Sequence, residues 1–256
     1  MIHITKKDDI DAFFLCHNNP KATVEVVKKF FSVYPNGNIY LYCDNGDFDY
    51  LSLKETYPNI IYKYNNFTIN PFRMPAKRAM LWAAIFHQAC CLSKRKYMIH
   101  LEDDVWLNRR VQIKSKHSLL SAECFSYAVF KPKAYENIRQ HPSLENMSQN
   151  FGGPGGSIFE TKIISKQKLS DIQEMIKDYC TVRSLWSDQL LTLIIYLGQG
   201  TLGYHEYLGR EPNRDVCHSQ RNKIYYGKRL NPEDKRLFYP RKYTEMFDDT
   251  FAERSL

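Results

Sequence analysis

Apolar positions along this chain follow two alternating rhythms. Compact runs of about five apolar residues recur through the first hundred positions, and between them apolar residues return every three or four places. The first rhythm fits strands buried in a sheet, the second fits helices lying on it. Ala12-Phe13-Phe14-Leu15-Cys16 is the first such run; it stops at the turn signal His17-Asn18-Asn19-Pro20, and residues 22–31 follow with helical spacing. Asn38-Ile39-Tyr40-Leu41-Tyr42-Cys43 repeats the strand signal and stops at Asp44-Asn45-Gly46, ahead of a short helical stretch over residues 50–57. Ile60-Ile61-Tyr62-Lys63-Tyr64 predicts a third strand. Pro75 stands where a first helical residue belongs, and Trp82, Ile85, Phe86, Ala89 and Leu92 recur at helical spacing behind it.

Strands that alternate with helices through residue 105 predict an α/β fold, a mostly parallel sheet with helices on both faces. In an open sheet of that kind ligands bind beyond the carboxyl ends of the strands. The loops at residues 17–19, 44–46 and 102–104 are therefore expected to share one rim. The second half is less regular. Ser126-Tyr127-Ala128-Val129-Phe130 predicts a strand, Gly152-Gly153-Pro154-Gly155-Gly156 a tight turn before Ser157-Ile158-Phe159, and residues 167–179 and 187–197 predict helices. With no internal repeat, low-complexity tract or linker, the 256 residues are read as one domain.

The helix after Pro75 leads into Tyr97-Met98-Ile99-His100-Leu101-Glu102-Asp103-Asp104-Val105-Trp106, which drives three acids into an apolar run. Met98, Ile99, Leu101, Val105 and Trp106 read as a buried strand, and carboxylates are rarely placed there unless something pairs with them. If extended geometry continues to position 104, Glu102 and Asp104 point to one face and Asp103 to the other. Two hard oxygen ligands converging at a strand's carboxyl end suit Mg²⁺ or Mn²⁺. The competing reading is that these acids cap the next segment or pair with Arg109 and Arg110. His100, inside the strand, reads as a packed or hydrogen-bonded histidine.

Composition narrows the classes. Hydrophobic content of 43% with 25% charged residues is that of a folded globular chain and excludes disorder. A net charge of +8 favours an anionic ligand. Between residues 210 and 242 there are ten Lys or Arg against four Asp or Glu, a basic excess that could face a diphosphate, a nucleic acid or water. The seven cysteines form no C-x-x-C pair, so zinc-ribbon and thioredoxin readings lack support and reduced thiols in a cytoplasmic setting are expected. The N-terminus does not read as a signal peptide, and no window approaches the roughly 20 apolar residues of a membrane span.

The order of these elements, with Glu102-Asp103-Asp104 at a strand end, the glycine run behind it and a later helix headed by Asp188, resembles the GT-A fold glycosyltransferases over roughly residues 10–220. These nucleotide-sugar-dependent enzymes carry a D-x-D or E-x-D motif, and small soluble members occur in bacteria and in large DNA viruses. The resemblance implies a Rossmann-like, nucleotide-binding half at about residues 10–105, a donor-sugar and acceptor half at about 106–225, and a C-terminal extension at 226–256. It implies Mn²⁺ or Mg²⁺ bridging the donor diphosphate and Asp104, with Glu102 assisting through water or on the ribose, and with His218 completing the metal shell.

His17, Asn18 and Asp44 would hold the base and ribose; turn chemistry is the alternative for each. Asp103 joins Glu102 as a nucleotide contact. Arg73, Lys77 and Arg78 would contact phosphates or the donor sugar at a helix N-terminus, where an anion is favoured. Gly153 and its neighbours would line the sugar pocket, and Asp188 would be the general base of an inverting transfer. In a retaining enzyme, Asp188 or Gln189 would instead stabilise the donor sugar.

The expected activity is therefore metal-dependent hexosyl transfer from a UDP- or GDP-sugar to a hydroxyl of a glycan or glycoprotein, with no nucleic-acid partner. One alternative is a nucleotidyltransferase that makes nucleotide sugars, although the loop His17-Asn18-Asn19-Pro20 lacks the glycines and cations such enzymes carry there. The other is a basic nucleic-acid or glycan-binding module, which leaves three acids at a strand end without a purpose.

Overall fold

The computed structural model describes residues 1–17, 19–46, 48–69, 74–122, 136, 144, 150–180, 185–211 and 213–218. The predicted strand at residues 126–130, the site residues Asn18 and Arg73, and the basic stretch beyond residue 218 lie outside them.

The centre is a seven-stranded sheet. From one edge to the other it comprises β10 (Leu202–Tyr204), β8 (Leu119–Ser121), β9 (Ile158–Glu160), β5 (Tyr97–Leu101), β2 (Asp11–Cys16), β3 (Ile39–Asp44) and β4 (Ile60–Asn65). Only β9 runs antiparallel to its neighbours, β5 and β8; the remaining pairings are parallel, so six carboxyl ends meet one rim. Helices α1 (Pro20–Val33), α2 (Leu51–Thr56) and α3 (Ala76–Leu92) fall between strands as the apolar rhythm predicts. They are followed by α4 (Thr161–Ser165), α5 (Leu169–Cys180) and α6 (Ser187–Leu197). No helix among the described residues is long and apolar enough to cross a membrane.

Burial on both faces explains why the strands read as unbroken apolar runs rather than alternating ones. Along β2, Phe13 enters the cluster built on α3, α5 and α6, while Ala12 and Phe14 enter the opposite cluster beside Val26, Val27 and Phe30 of α1. Phe13 meets Phe86 edge-on at 5.0 Å and Trp82 at 5.7 Å, an arrangement favoured by the aromatic quadrupole.

Two smaller sheets accompany the main one. β1 (Ile2–Ile4) pairs antiparallel with β7 (Ile113–Ser115). β11 (Leu208–Gly209), β12 (Val216–His218) and β6 (Val105–Leu107) form a three-stranded sheet.

The acidic run is not one continuous strand. β5 ends at Leu101, the Val105 amide donates to the Glu102 carbonyl at 3.1 Å, and residues 102–104 turn the chain out of the main sheet into β6. Alternation along a strand therefore does not decide where the three carboxylates point. Three acids in sequence favour a turn over a pleat, because a connecting turn can aim each polar side chain at its own partner, which a strand buried on both faces does not allow.

Phe13→Ala is expected to destabilise the protein by about 3–5 kcal/mol, because the ring is fully buried among rigid aromatic neighbours that cannot collapse into the cavity. Urea denaturation of both proteins checks this; a loss under about 1 kcal/mol contradicts the packing described.

Candidate metal centre and active site

β12 lies antiparallel to β6 in a register that sets His218 opposite Val105, directly after the acidic turn. The imidazole Nε2 stands 3.2 Å from Glu102 Oε2 and 3.2 Å from Asp104 Oδ1. One ligand atom from each of the three residues lies within 4.8 Å of the others, a group able to hold a metal ion. Asp104 and His218 are buried and Glu102 is partly open. Asp104 Oδ2 is buried with no hydrogen-bond partner among the described residues, and such an atom is costly unless something binds it. Two carboxylates, an imidazole and an orphaned oxygen fit a divalent cation.

Electrostatics point the same way. Burial opposes charge on His218, but its hydrogen bonds to Asp104 and Glu102 outweigh that and raise its pKa to about 10. Burial likewise opposes ionisation of Glu102, yet the hydrogen bond and charge of His218, with help from His100 and the Gly155 amide, bring it down to about 2. Without a metal, an imidazolium therefore occupies the space between two carboxylates. The competing partners are engaged elsewhere: Arg109 pairs with Asp215, and Arg110 with Asp9 at 2.9 Å.

The glycine run packs beneath this cluster. A Cβ on Gly155 would sit 2.8 Å from Glu102 Oε2 and 2.6 Å from Val105 Cγ2, so only glycine admits the carboxylate there. Gly153, the member singled out from the sequence, has φ +134 and approaches the Asp188 carbonyl; its own carbonyl accepts from His100 Nδ1 at 3.1 Å. His100 is buried between Phe13 and Trp82, a packed histidine. Gly155 is one of the four glycines that the sequence places in this run, and glycines on both sides of Pro154 offer no spacing that ranks one above another.

Asp188 is half-buried in the first turn of α6 and accepts from Ser187 Oγ at 3.2 Å. Burial, then the Glu102 charge, raises its carboxyl to about 6 against the pull of His100 and His218. Gln189 is buried and its Oε1 accepts the Trp186 amide at 3.3 Å, so it caps the helix.

Across the rim, His17 Nδ1 donates to the Asp44 carbonyl at 2.6 Å, tying the ends of β2 and β3 together. Asp44 is 3% exposed and its Oδ1 accepts the Ile69 amide at 2.6 Å, which commits that oxygen to loop structure. Asp103 turns away from the cluster toward Asn19 at the start of α1; burial and the charges of Asp104 and Glu102 raise its carboxyl, opposed by its own amide and by Asn19. Lys77 is exposed in the first turn of α3.

No protein-family model and no curated protein matches the chain by sequence. By structure, the galactosyltransferase LgtC, solved in complex with donor and acceptor sugar analogs, aligns over 88% of this chain and 99% of its own, with TM-score 0.50 and 12% identity. The apo form of the glycosyltransferase GlyE from Streptococcus pneumoniae TIGR4 aligns over 87% of this chain with TM-score 0.52 and 10% identity; this chain spans 57% of that one. Likeness at such identity is a likeness of fold, and the fold is GT-A, a mixed α/β domain around a mostly parallel sheet.

A cation entering this cluster must displace the His218 proton, so binding is expected to release about one proton at pH 7 and to tighten as pH rises toward 10. Calorimetry in buffers of different ionisation enthalpy checks it; buffer-independent heats contradict it. In the metal-free protein the sign reverses for stability. A folded-state pKa raised from 6.5 to about 10 gives stabilisation that is fully present below pH 6.5 and lost as pH climbs through about 10.

Proposed function

We propose that this chain is a metal-dependent glycosyltransferase that moves a sugar from a UDP- or GDP-sugar to an acceptor hydroxyl with inversion at the sugar carbon. The observation that carries the proposal is the Glu102–Asp104–His218 cluster at the strand-end rim of a GT-A fold, with Asp188 within electrostatic reach of Glu102. Nucleotide-binding loops would lie on the side of His17, Asp44 and Asp103, with Asn18, Arg73 and Lys77 as further contacts.

Asp104, Glu102 and His218 would hold the cation, and a mixed oxygen and imidazole set suits Mn²⁺ over Mg²⁺. When bound, it offsets the negative charge that grows on the departing diphosphate. The chain's own groups account for the rest. Asp188 takes the proton of the acceptor hydroxyl as that oxygen bonds to the sugar carbon, while the bond to the diphosphate breaks and its electron pair leaves with the nucleotide. A carboxyl at about 6 is ionised at neutral pH yet basic enough to assist. Gly155 supports the Glu102 carboxylate from below, and His100 fixes the glycine run through the Gly153 carbonyl. The six described cysteines are all free thiols, which supports a reducing, cytoplasmic setting.

Release of nucleotide from a panel of UDP- and GDP-sugars with Mn²⁺ tests the assignment. Asp104→Ala is expected to lose about 100-fold or more in turnover; undiminished turnover overturns the metal assignment. The rate should fall as pH drops below about 6, and Asp188→Asn should abolish transfer while leaving donor binding intact. A retained anomeric configuration in the product overturns the base role and leaves Asp188 to hold the donor sugar.

A further inference from the structure

Arg109 and Arg110 follow β6 closely, and each reaches a different part of the chain. Arg110 faces the body of the domain. Its Nη1 donates to the Asp8 carbonyl at 2.9 Å and its Nη2 to Asp9 Oδ1 at 2.9 Å, and its guanidinium lies 5.1 Å from the centre of the Tyr34 ring. Arg109 faces the segment that leads into β12. Its Nε donates to Asp215 Oδ1 and its Nη2 to the Asn213 carbonyl at 3.1 Å. The backbone between them is tied as well, since the Asn108 amide donates to the Asp215 carbonyl at 2.9 Å and Asn108 Nδ2 to the Arg214 carbonyl at 2.9 Å. The chain that leaves β6 is therefore anchored to the domain by one arginine and grips the approach to His218 with the other.

That approach needs holding. β11 and β12 have only two and three residues, and Val216 of β12 is fully buried in the apolar cluster. Along an extended strand Val216 and His218 share a face, and a slip of two residues keeps both on it. Burial of Val216 therefore excludes a slip of one residue and permits a slip of two, which would set His218 opposite Leu107 instead of Val105. A contact made in one register alone excludes it, and the clasp of Arg109 on Asp215, immediately before β12, is such a contact. Resting on the metal-dependent reading above, we propose that Arg109 is a positioning residue for the cation. Through Asp215 it fixes the register of β12 and so the place of the His218 imidazole between Glu102 and Asp104.

The value of the clasp is geometric. The Arg109 side chain is 67% exposed and that of Asp215 21%, and both line a polar cavity of about 470 Å³. An ion pair so open to solvent adds little to global stability. A planar guanidinium nevertheless places two donors at fixed angles, here one on a side chain and one on a carbonyl of the same segment, and the single ammonium of a lysine cannot reproduce both.

Titration of the full chain with Mn²⁺ alone, followed by the electron paramagnetic resonance of the free ion, tests this role without donor or turnover. Arg109→Gln and Asp215→Asn are each expected to weaken Mn²⁺ binding about tenfold, as loss of a group that orients a ligand does. The double variant should lose no more than either single one, because both act through one contact. Arg109→Lys should recover only part of the affinity, and melting temperature without the ion should be unchanged throughout. Unaltered affinity in Arg109→Gln, losses that multiply in the double variant, full recovery by lysine, or a melting temperature that falls along with affinity overturns the positioning role and leaves the metal centre standing. Absence of Mn²⁺ uptake by the unaltered chain overturns the metal centre itself, and this role with it.

Discussion

The site depends on one contact between distant parts of the chain, His218 held between Glu102 and Asp104. Two buried or partly buried carboxylates so close together repel each other, and the fold keeps them there because the imidazolium bridges both. The bridge in turn needs β12 to lie in one register on β6, since a shift of a single residue would send the imidazole to the opposite face. Strand pairing thus sets the chemistry: β6 turns the acids out of the main sheet and β12 returns their counter-charge.

The parallel sheet makes that arrangement productive by collecting six carboxyl ends on one rim. Along this rim the chain distributes distinct environments. Loops after β2 and β3 are locked to each other by the His17–Asp44 contact, and the turn after β5 carries the acids. The ends of β8 and β10 border a locally acidic cavity with an exposed tyrosine. The glycine run joins these regions from below. The four glycines among its five residues let Glu102, the Asp188 helix and Leu208 all approach it, so a methyl group at Gly155 or Gly156 would disturb more than one partner.

Much of this architecture was legible in the pattern of apolar residues. Strands buried on both faces give uninterrupted runs such as Ala12-Phe13-Phe14-Leu15-Cys16, and α1 to α3 and α6 fall where the helical spacing put them. Short strands were not legible. β1, β7, β8, β10, β11 and β12 have two or three residues each, too few to establish a period, and they are strands because of what they pair with. The continuous acidic strand expected from Met98 to Trp106 failed for a related reason, since a two-residue alternation cannot be told from a turn entered by an apolar run.

For the site, the residue types were visible and their relations were not. An acidic triplet at the end of an apolar run marks a place where charge must be compensated, and sequence alone establishes that because burying unpaired carboxylates is prohibitive wherever they lie. Which group compensates is a question of three-dimensional proximity. Arg109 and Arg110, nearest in sequence, are drawn to Asp215 and Asp9, while His218, more than a hundred residues away, reaches the triplet. Asp103 turns to Asn19, and Gly155 rather than Gly153 lies under Glu102, because the turn at residues 102–104 and the path of the glycine run are fixed by tertiary packing. Local apolar periodicity determined the sheet and the position of its rim; the direction of each side chain on that rim was decided by long-range strand pairing, which no local pattern encodes.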